Sequence, residues 1–239
     1  MKKIFLVLML TLLLTGCGKN DDELVMVTEA GFAPYEYYEG GEIVGVDIDI
    51  ANEIAKELGK KLVIKDIAFD SIVNEVKSGK ADFAAAGISY SDERAKEVDF
   101  TVNYATSKQV VIVTEDSDIS LPEQIKDKRI AVQLGSIADT YVTENYKDAT
   151  ITRQKKYLAA IQDLKTGKVD CVVMDELPAQ EILKENSGLK ILDKELTQDK
   201  YGMIVKKGNK ELLDSINKVL NRLISEGKIS EYVIKHTGE

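Results

Sequence analysis

The stretch Lys77-Ser78-Gly79-Lys80-Ala81-Asp82-Phe83 recurs 88 residues later as Lys165-Thr166-Gly167-Lys168-Val169-Asp170-Cys171. At the same offset, the β-rich run Leu62–Ile64 falls on Thr150–Thr152. A motif that recurs together with its neighbouring elements indicates an internal repeat whose copies fold alike. The chain has 239 residues, which is enough for two such units. The repeat therefore predicts two lobes with a cleft between them.

Short β-rich runs alternate with helical patterns around the first copy of the motif. The helix predicted over 47–58 carries Ile50, Ile54 and Leu58 on one face, and Gly59 ends it. The other elements predicted for this unit are strands at Leu24–Thr28, Leu62–Ile64 and Asp82–Ala86 and a helix at Ser71–Lys77. This alternation predicts an α/β fold in which each lobe is a mainly parallel sheet flanked by helices.

The chain crosses between the two predicted lobes twice. The first crossing is the strand-like run Gln109–Thr114, and the second lies near Asp193–Tyr201. The strand predicted at Tyr201–Val205 and two later helices return to the first lobe. Lobe 1 is accordingly predicted as residues 24–107 and 200–239, and lobe 2 as residues 108–199. Two crossings make a two-stranded hinge, which suits a closing motion.

Residues 1–16 have the pattern of a secretion signal. A positive start, Met1-Lys2-Lys3, precedes an apolar run over 4–14 that only Thr11 interrupts. The run ends at Leu14-Thr15-Gly16-Cys17, which resembles a bacterial lipobox. That resemblance implies cleavage before Cys17, a lipid such as palmitate on Cys17, and a tether over 17–23. The lipid would anchor the protein to the membrane without spanning it; the alternative is a buried N-terminal helix that ends at Gly16.

The overall composition excludes several classes of function. Lys and Arg number 32 against 41 Asp and Glu, a net charge of −9 that argues against a nucleic-acid partner. One His and two Cys do not supply a histidine metal cluster or a disulfide framework. We therefore expect no metal and no cofactor. Cys171 lies in an apolar run and is predicted to be a buried, inert thiol.

Polar and aromatic residues follow the predicted strands at their carboxyl ends, where open α/β sheets bind ligands. These segments are 29–35, 87–94, 133–136 and the single residue Asp175. They include Arg94, and a guanidinium binds a carboxylate with two hydrogen bonds. An acidic side chain and hydroxyls suit an ammonium group. The combination predicts a site for an α-amino acid.

Six motifs occur in order along residues 24–235. They are Phe32-Ala33-Pro34-Tyr35-Glu36-Tyr37, Gly45-Val46-Asp47-Ile48-Asp49-Ile50-Ala51, Ser91-Asp92-Glu93-Arg94, Val98-Asp99-Phe100-Thr101, Gln133-Leu134-Gly135-Ser136 and Met174-Asp175. With them the chain resembles the polar amino-acid-binding proteins of ABC importers, solute-binding protein family 3. The resemblance implies a two-lobed type II periplasmic-binding fold and a protein that is not an enzyme. It also implies a monomer on the extracytoplasmic face of the cell envelope, which delivers an amino acid to an ABC permease and its ATPase.

The same resemblance implies a role for each site residue. Arg94 would bind the ligand carboxylate together with backbone N–H groups near Ser89 and Ser136. Asp175 would bind the α-ammonium, helped by the Gly87 carbonyl and the Ser89 hydroxyl. The remaining members of the set would be Phe32 and Phe69 beside the ligand side chain, Glu29 at the far end of the pocket, and Gln133.

Glu29 and the two aromatic residues favour a cationic ligand, arginine or lysine, while glutamine, histidine and cystine stay open. Two departures from the family pattern concern the pocket. Ile137 stands where the family often has Thr, and Glu29 stands where it often has Asp or Asn.

Other interpretations of the same residues stay open at this point. Arg94 could be a surface residue paired with Asp92 or Glu97, and Glu29 could face water. Asp175 and Ser136 could be helix N-caps, and the aromatic residues Phe32, Tyr35 and Phe69 could simply be core. The alternative functions are a dehydratase-type enzyme on this fold, with Glu29 as general acid, and a ligand-sensing subunit of a separate receptor.

Overall fold

The computed structural model describes residues 21–238. The predicted signal peptide over 1–16 and the predicted lipid site Cys17 lie outside these residues. The strands, β1 to β13, are Glu23–Thr28, Tyr37–Glu39, Glu42–Val44, Lys61–Asp66, Phe83–Ala84, Val98–Phe100, Ala105–Thr114, Arg129–Gln133, Thr150–Gln154, Cys171–Asp175, Leu189–Ile191, Thr197–Tyr201 and Ile204–Lys206. The helices, α1 to α8, are Val46–Leu58, Ile72–Lys77, Asp92–Glu97, Ile137–Asn145, Tyr157–Lys165, Glu176–Glu185, Lys210–Ser225 and Lys228–Thr237.

Two mixed sheets form the framework of the two lobes. The first has the strand order β4-β1-β5-β13-β6, and the second has the order β11-β7-β10-β8-β9 with β12 also paired to β7. The three strands β4-β1-β5 pair in parallel, and so do their counterparts β9-β8-β10. This confirms the repeat and its βαβαβ units. The remaining strands, β13 and β6 in the first sheet and β7, β11 and β12 in the second, pair antiparallel.

The repeated motif makes the same contacts in both lobes. Gly79 and Gly167 have φ angles of 77° and 71°, and each follows directly on a helix end. The two aspartates of the motif then bind the start of the neighbouring strand. Asp82 Oδ2 accepts the N–H of Val25, and Asp170 Oδ2 accepts the N–H of Arg129, both at 2.8 Å. The glycine lets the chain turn out of the helix, and the aspartate ties it to the next strand.

The hinge is the antiparallel pair of β7 and β12. Their register runs from Gln109 opposite Thr197 to Ala105 opposite Tyr201. The predicted lobe boundaries at 107/108 and 199/200 fall inside this pair. The prediction of one strand over Tyr201–Val205 is wrong, because β12 ends at Tyr201 and β13 begins at Ile204. Between them the chain leaves the second sheet for the first.

The largest buried apolar cluster continues from one lobe into the other. It includes Met26 and Phe83 of the first sheet and Val172 and Met174 of the second, with buried tyrosines such as Tyr201. Burial of each such side chain contributes about 1.5–3 kcal/mol. Cys171 is buried, as predicted. None of the helices within residues 21–238 is long and apolar enough to cross a membrane.

Gly45 allows the segment after β1 to dock on the start of α1. Its φ is 135°, and a Cβ built there would lie 2.1 Å from the carbonyl oxygen of Tyr35. Behind it, the N–H groups of Val46 and Asp47 donate to the carbonyls of Pro34 and Tyr35. The close approach of Gly45 to Tyr35 therefore fixes the position of the Phe32 side chain relative to that of Asp47.

We expect Gly45→Ala to lower the free energy of unfolding by about 3 kcal/mol or more, because both the backbone conformation and the Tyr35 contact are lost. Gly41→Ala is the matched control: its φ is 89°, but a Cβ there meets no atom within 4 Å. It should lose only about 1–2 kcal/mol from backbone strain. Urea unfolding of both variants measures the difference, and equal losses would contradict the docking role.

Candidate functional site

One cavity between the lobes brings all nine predicted site residues together. The space between its walls is about 310 Å³, part of which is open to solvent. The predicted residues on its wall are Glu29, Phe32, Phe69, Gly87, Ser89, Arg94, Gln133, Ser136 and Asp175. Ile137, which the sequence placed at the pocket as a departure from the family pattern, also lines the cavity, and sequence reasoning missed three further lining residues, Glu36, Ala86 and Tyr157. The cavity lies where β-strand ends of both sheets meet, as the strand-end rule predicts.

Arg94 joins the two lobes. Its Nη1 donates to the carbonyl of Ser89 at 2.6 Å, and its Nη2 donates to the carbonyl of Gly135, across the cleft, at 2.8 Å. The guanidinium also lies over the ring of Phe69, 5.5 Å from its centroid. A guanidinium has five N–H donors, so these two bonds leave donors for a bound anion.

The surface-pair interpretation of Arg94 is wrong. Asp92 instead accepts the hydroxyl of Tyr90 at 3.1 Å, and Glu97 pairs with Lys77. Arg94 is kept at the cleft by the start of α3, where Ser91 is the N-cap and its Oγ accepts the N–H of Arg94 at 3.2 Å.

Asp175 occupies the N-cap position of α6 but does not cap it with its side chain. Its Oδ1 instead accepts three hydrogen bonds, from Ser107 Oγ at 2.7 Å, Gln109 Nε2 at 2.8 Å and Tyr201 Oη at 2.5 Å. All three donors come from the hinge strands β7 and β12. The carboxylate is thus fixed at the base of the cleft with only 6 % of the residue exposed.

Asp199, on β12, is a second carboxylate at the hinge that sequence reasoning missed. Its Oδ2 accepts Ser89 Oγ at 2.8 Å and Gln109 Nε2 at 3.2 Å, while its buried Oδ1 has no hydrogen-bond partner. Burial, together with the charge of Asp199, raises the pKa of Asp175 to about 7. Burial likewise raises the pKa of Asp199. Two desolvated acids that share Gln109 make this end of the cavity attractive to an ammonium group.

Gly87 is fixed by buried groups behind the cavity. Its N–H donates to Asp47 Oδ2 at 3.0 Å, and Asp47 Oδ1 accepts the hydroxyl of Tyr104 at 2.7 Å. Burial raises the pKa of Asp47 to about 6. Burial and the adjacent Asp47 carboxylate raise the pKa of Glu36 well above its usual range. Asp47, in the first turn of α1, therefore sets the orientation of the Gly87 peptide at the cavity wall.

Ser136 is the N-cap of α4, as one interpretation of the sequence held. Its Oγ accepts the N–H of Asp139 at 3.1 Å. The first turn of a helix leaves backbone N–H groups without helical partners, so capping and anion binding are compatible here. Ile137 also lines the cavity and offers no hydroxyl.

Aromatic rings meet across the cleft at Phe32. Its ring stacks on that of Tyr157, with centroids 5.8 Å apart and an interplanar angle of 24°. It also stacks on Tyr35, at 6.1 Å. Tyr35 is itself buried and packs edge-on against Tyr201, so for Tyr35 the core interpretation is correct. Phe32 and Phe69 both line the cavity.

Glu29 follows β1 and is almost completely buried, so the interpretation that it faces water is wrong. The residue is 1 % exposed. Its Oε2 accepts Gln133 Nε2 at 3.1 Å, and its Oε1 lies 3.0 Å from Nζ of Lys156. The Lys156 ammonium thus supplies this oxygen with a charged hydrogen-bond donor, although the Lys156 side chain is itself 46 % exposed. Burial raises the pKa of Glu29, against the lowering effects of Lys156 and Gln133.

Within the part of the chain that the structure describes, no group of three or more His, Cys, Asp and Glu side chains is arranged to hold a metal ion. The cavity instead offers a guanidinium, helix and loop N–H groups, carboxylates and aromatic rings. These groups bind a small dipolar molecule by charge and hydrogen bonds.

Known proteins share this architecture over nearly the whole chain. The chain is 30% identical over 255 residues to the arginine-binding extracellular protein ArtP of Bacillus subtilis, with 100% of both chains covered. An ancestral arginine-binding protein bound to arginine is 37% identical, with a TM-score of 0.85 and coverage of 90% of this chain and 98% of that chain. An ancestral arginine-binding protein bound to glutamine is 36% identical, with a TM-score of 0.86 and coverage of 92% and 100%.

The model of bacterial extracellular solute-binding proteins, family 3, matches residues 24–239. This match and the solved structures confirm the predicted two-lobed type II fold and a role in substrate binding rather than in catalysis. The chain therefore belongs to family 3 of the bacterial extracellular solute-binding proteins, as an amino-acid-binding protein of an ABC transporter.

Proposed function

We propose that the ligand is a free L-amino acid with a cationic side chain, arginine or lysine, which the protein delivers to an ABC permease by closure of its lobes. The observation that carries this proposal is Glu29. A carboxylate that is 1 % exposed, and whose pKa is raised by its burial, lines the same cavity as Arg94 and Asp175. A cationic side chain satisfies such a buried acid better than a neutral one.

The main-chain groups of the ligand would take the two ends defined by Arg94 and Asp175. Arg94, with N–H groups at Ser89 and the start of α4, binds the carboxylate. Asp175, with the Gly87 carbonyl and the Ser89 hydroxyl, binds the α-ammonium, and Asp199 adds negative charge there. The ligand side chain then extends past Phe32 and Phe69 toward Glu29 and Gln133.

The named relatives support an arginine ligand more than a lysine ligand. ArtP of B. subtilis is named an arginine-binding protein. Glutamine is the second candidate, because an ancestral arginine-binding protein was solved with glutamine bound. In this chain, the ion pair of Lys156 with Glu29 also favours a neutral side chain, since the acid already has a counter-ion.

Lobe closure follows from the distribution of these groups. Arg94 and Glu29 of lobe 1 contact Gly135 and Gln133 of lobe 2 directly. A ligand held by groups of both lobes stabilises the closed arrangement over an open one.

The proposal extends to the N-terminus, where Cys17 carries the lipid, and the mature protein anchored by that lipid acts as a monomer on the extracytoplasmic face. A ligand-sensing role is compatible with the same binding event but needs a separate receptor. We expect Cys17→Ser to move the protein from the membrane fraction to the soluble fraction of fractionated cells. Unchanged membrane retention would contradict the lipid anchor.

The ligand and the role of Arg94 can be tested by titration calorimetry. We expect arginine and lysine to bind more tightly than the other amino acids. Arg94→Ala should weaken binding by about 2–5 kcal/mol, roughly thirty-fold to several-thousand-fold, because the ligand carboxylate loses its charge partner. Arg222→Ala is the control, since Arg222 pairs with Glu53 on the outer surface. Normal binding by Arg94→Ala would overturn the carboxylate assignment.

The raised pKa of Asp175 makes the affinity depend on pH. Below about 7 the ligand-free carboxyl is protonated, and the α-ammonium must displace that proton, so affinity should rise with pH between about 5 and 8. Calorimetry in buffers of different ionisation enthalpy should detect proton release in this range. Asp175→Asn should bind weakly and lose most of the pH dependence. A constant affinity from pH 5 to 8 in the unmodified protein would refute the ammonium assignment.

A further inference from the structure

Lys156 connects two acids across the cleft. It is the N-cap residue of α5 in lobe 2, and its Nζ lies 3.0 Å from Glu29 Oε1 and 3.6 Å from Asp66 Oδ2, both in lobe 1. The Glu29 side chain is 2 % exposed, whereas that of Asp66 is 24 % exposed. One lysine is therefore within ion-pair distance of a buried acid and of an acid at the rim.

Asp66 is held in place independently of Lys156. Its Oδ1 accepts the N–H of Ala30 at 2.9 Å, and its Oδ2 accepts the hydroxyl of Tyr38 at 3.3 Å. Lysine is a point charge on a flexible four-carbon stem, so small rotations move its ammonium group between neighbouring acceptors. Asp66 is thus a ready second partner for Lys156.

Glu29 needs a positive partner more than Asp66 does. An unpaired charge is costly in the buried position and inexpensive at the rim, where water solvates it. Lys156 supplies the charge from 3.0 Å, but its side chain is 46 % exposed, so water competes for the ammonium group. A ligand cation inside the cavity is more fully desolvated and is therefore a stronger partner for Glu29 than Lys156 is.

We propose that Lys156 is an internal counter-ion that determines side-chain specificity: it stays on Glu29 when the bound amino acid is neutral and moves to Asp66 when a ligand cation takes its place. The inference rests on the proposed function, because it assigns the ligand side chain to the Glu29 end of the cavity. The site then accepts neutral and cationic side chains without leaving Glu29 unpaired.

Titration calorimetry with arginine and glutamine on the full chain tests this proposal. Lys156→Met keeps the apolar stem and removes the charge. Arginine should then bind about tenfold more tightly, because no cation competes for Glu29, and glutamine about tenfold more weakly, because Glu29 is left unpaired. Lys155→Met is the control, since Gln133 contacts only the backbone carbonyl of Lys155.

Asp66→Asn tests the second position of the lysine. The amide keeps the Oδ1 acceptor for Ala30 but no longer attracts Lys156. Arginine should bind several-fold more weakly, because the displaced lysine has no partner, and glutamine should bind as before. When Glu29→Gln is also present, Lys156→Met should no longer change the ratio of the affinities for arginine and glutamine.

The outcomes separate this inference from the proposed function. If Lys156→Met weakens arginine and glutamine by the same factor, Lys156 only ties the lobes together and the inference is overturned. If the unmodified protein binds glutamine but not arginine, the proposed preference for a cationic ligand fails. In that case the role of Lys156 as counter-ion of Glu29 is still supported if Lys156→Met binds glutamine more weakly and Asp66→Asn binds it unchanged. If no amino acid binds, both proposals fail. Thermal unfolding of each variant checks that the fold is intact.

Discussion

Burial of carboxylates in a closed cleft is the constraint on which this structure depends. Glu29, Glu36, Asp47 and Asp175 are each 6 % exposed or less, and all lie around one small cavity. Each of them would be costly without compensation. The compensation differs from one acid to the next: Asp47 receives a backbone N–H and a tyrosine hydroxyl, Asp175 receives three side-chain donors, and Glu29 receives Lys156. The negative charge that remains suits an amino-acid ligand, whose α-ammonium group is positive.

The internal repeat supplies a symmetric frame, and the site arises where the two copies differ. Asp82 and Asp170 make the same bond to the neighbouring strand in each lobe. Five residues further along, the first copy has Gly87, and the second has Asp175. One lobe thus contributes a peptide group at the end of its strand, and the other contributes an acid. The same fold presents different chemistry to the two sides of one ligand.

Local pattern predicted the parallel units and the strand-end segments that hold eight of the nine cavity residues, because both depend on elements that are close in sequence. Phe69 and the role of each residue came from the family resemblance. It failed where pairing is long-range. The strand predicted at Tyr201–Val205 is two strands, since pairing of β12 with β7 decides where the chain changes sheets. For the same reason Asp199 was treated only as part of a crossing, although it bonds to Ser89, 110 residues away. Lys156 was missed because its partner Glu29 lies in the other lobe.

The hinge strands also contribute side chains to the candidate site, which would link the proposed ligand recognition to closure. Ser107 and Gln109 lie on β7, and Asp199 and Tyr201 lie on β12; together they hold Asp175 and supply the second acid beside it. Bending this antiparallel pair changes the donor geometry around Asp175, because the three hydrogen bonds converge on one oxygen. Under the proposed function, an ammonium group at Asp175 would favour the arrangement in which those donors and Asp199 are correctly placed. The closed state would then be stabilised from inside the hinge as well as across the mouth of the cleft, where Arg94 reaches Gly135.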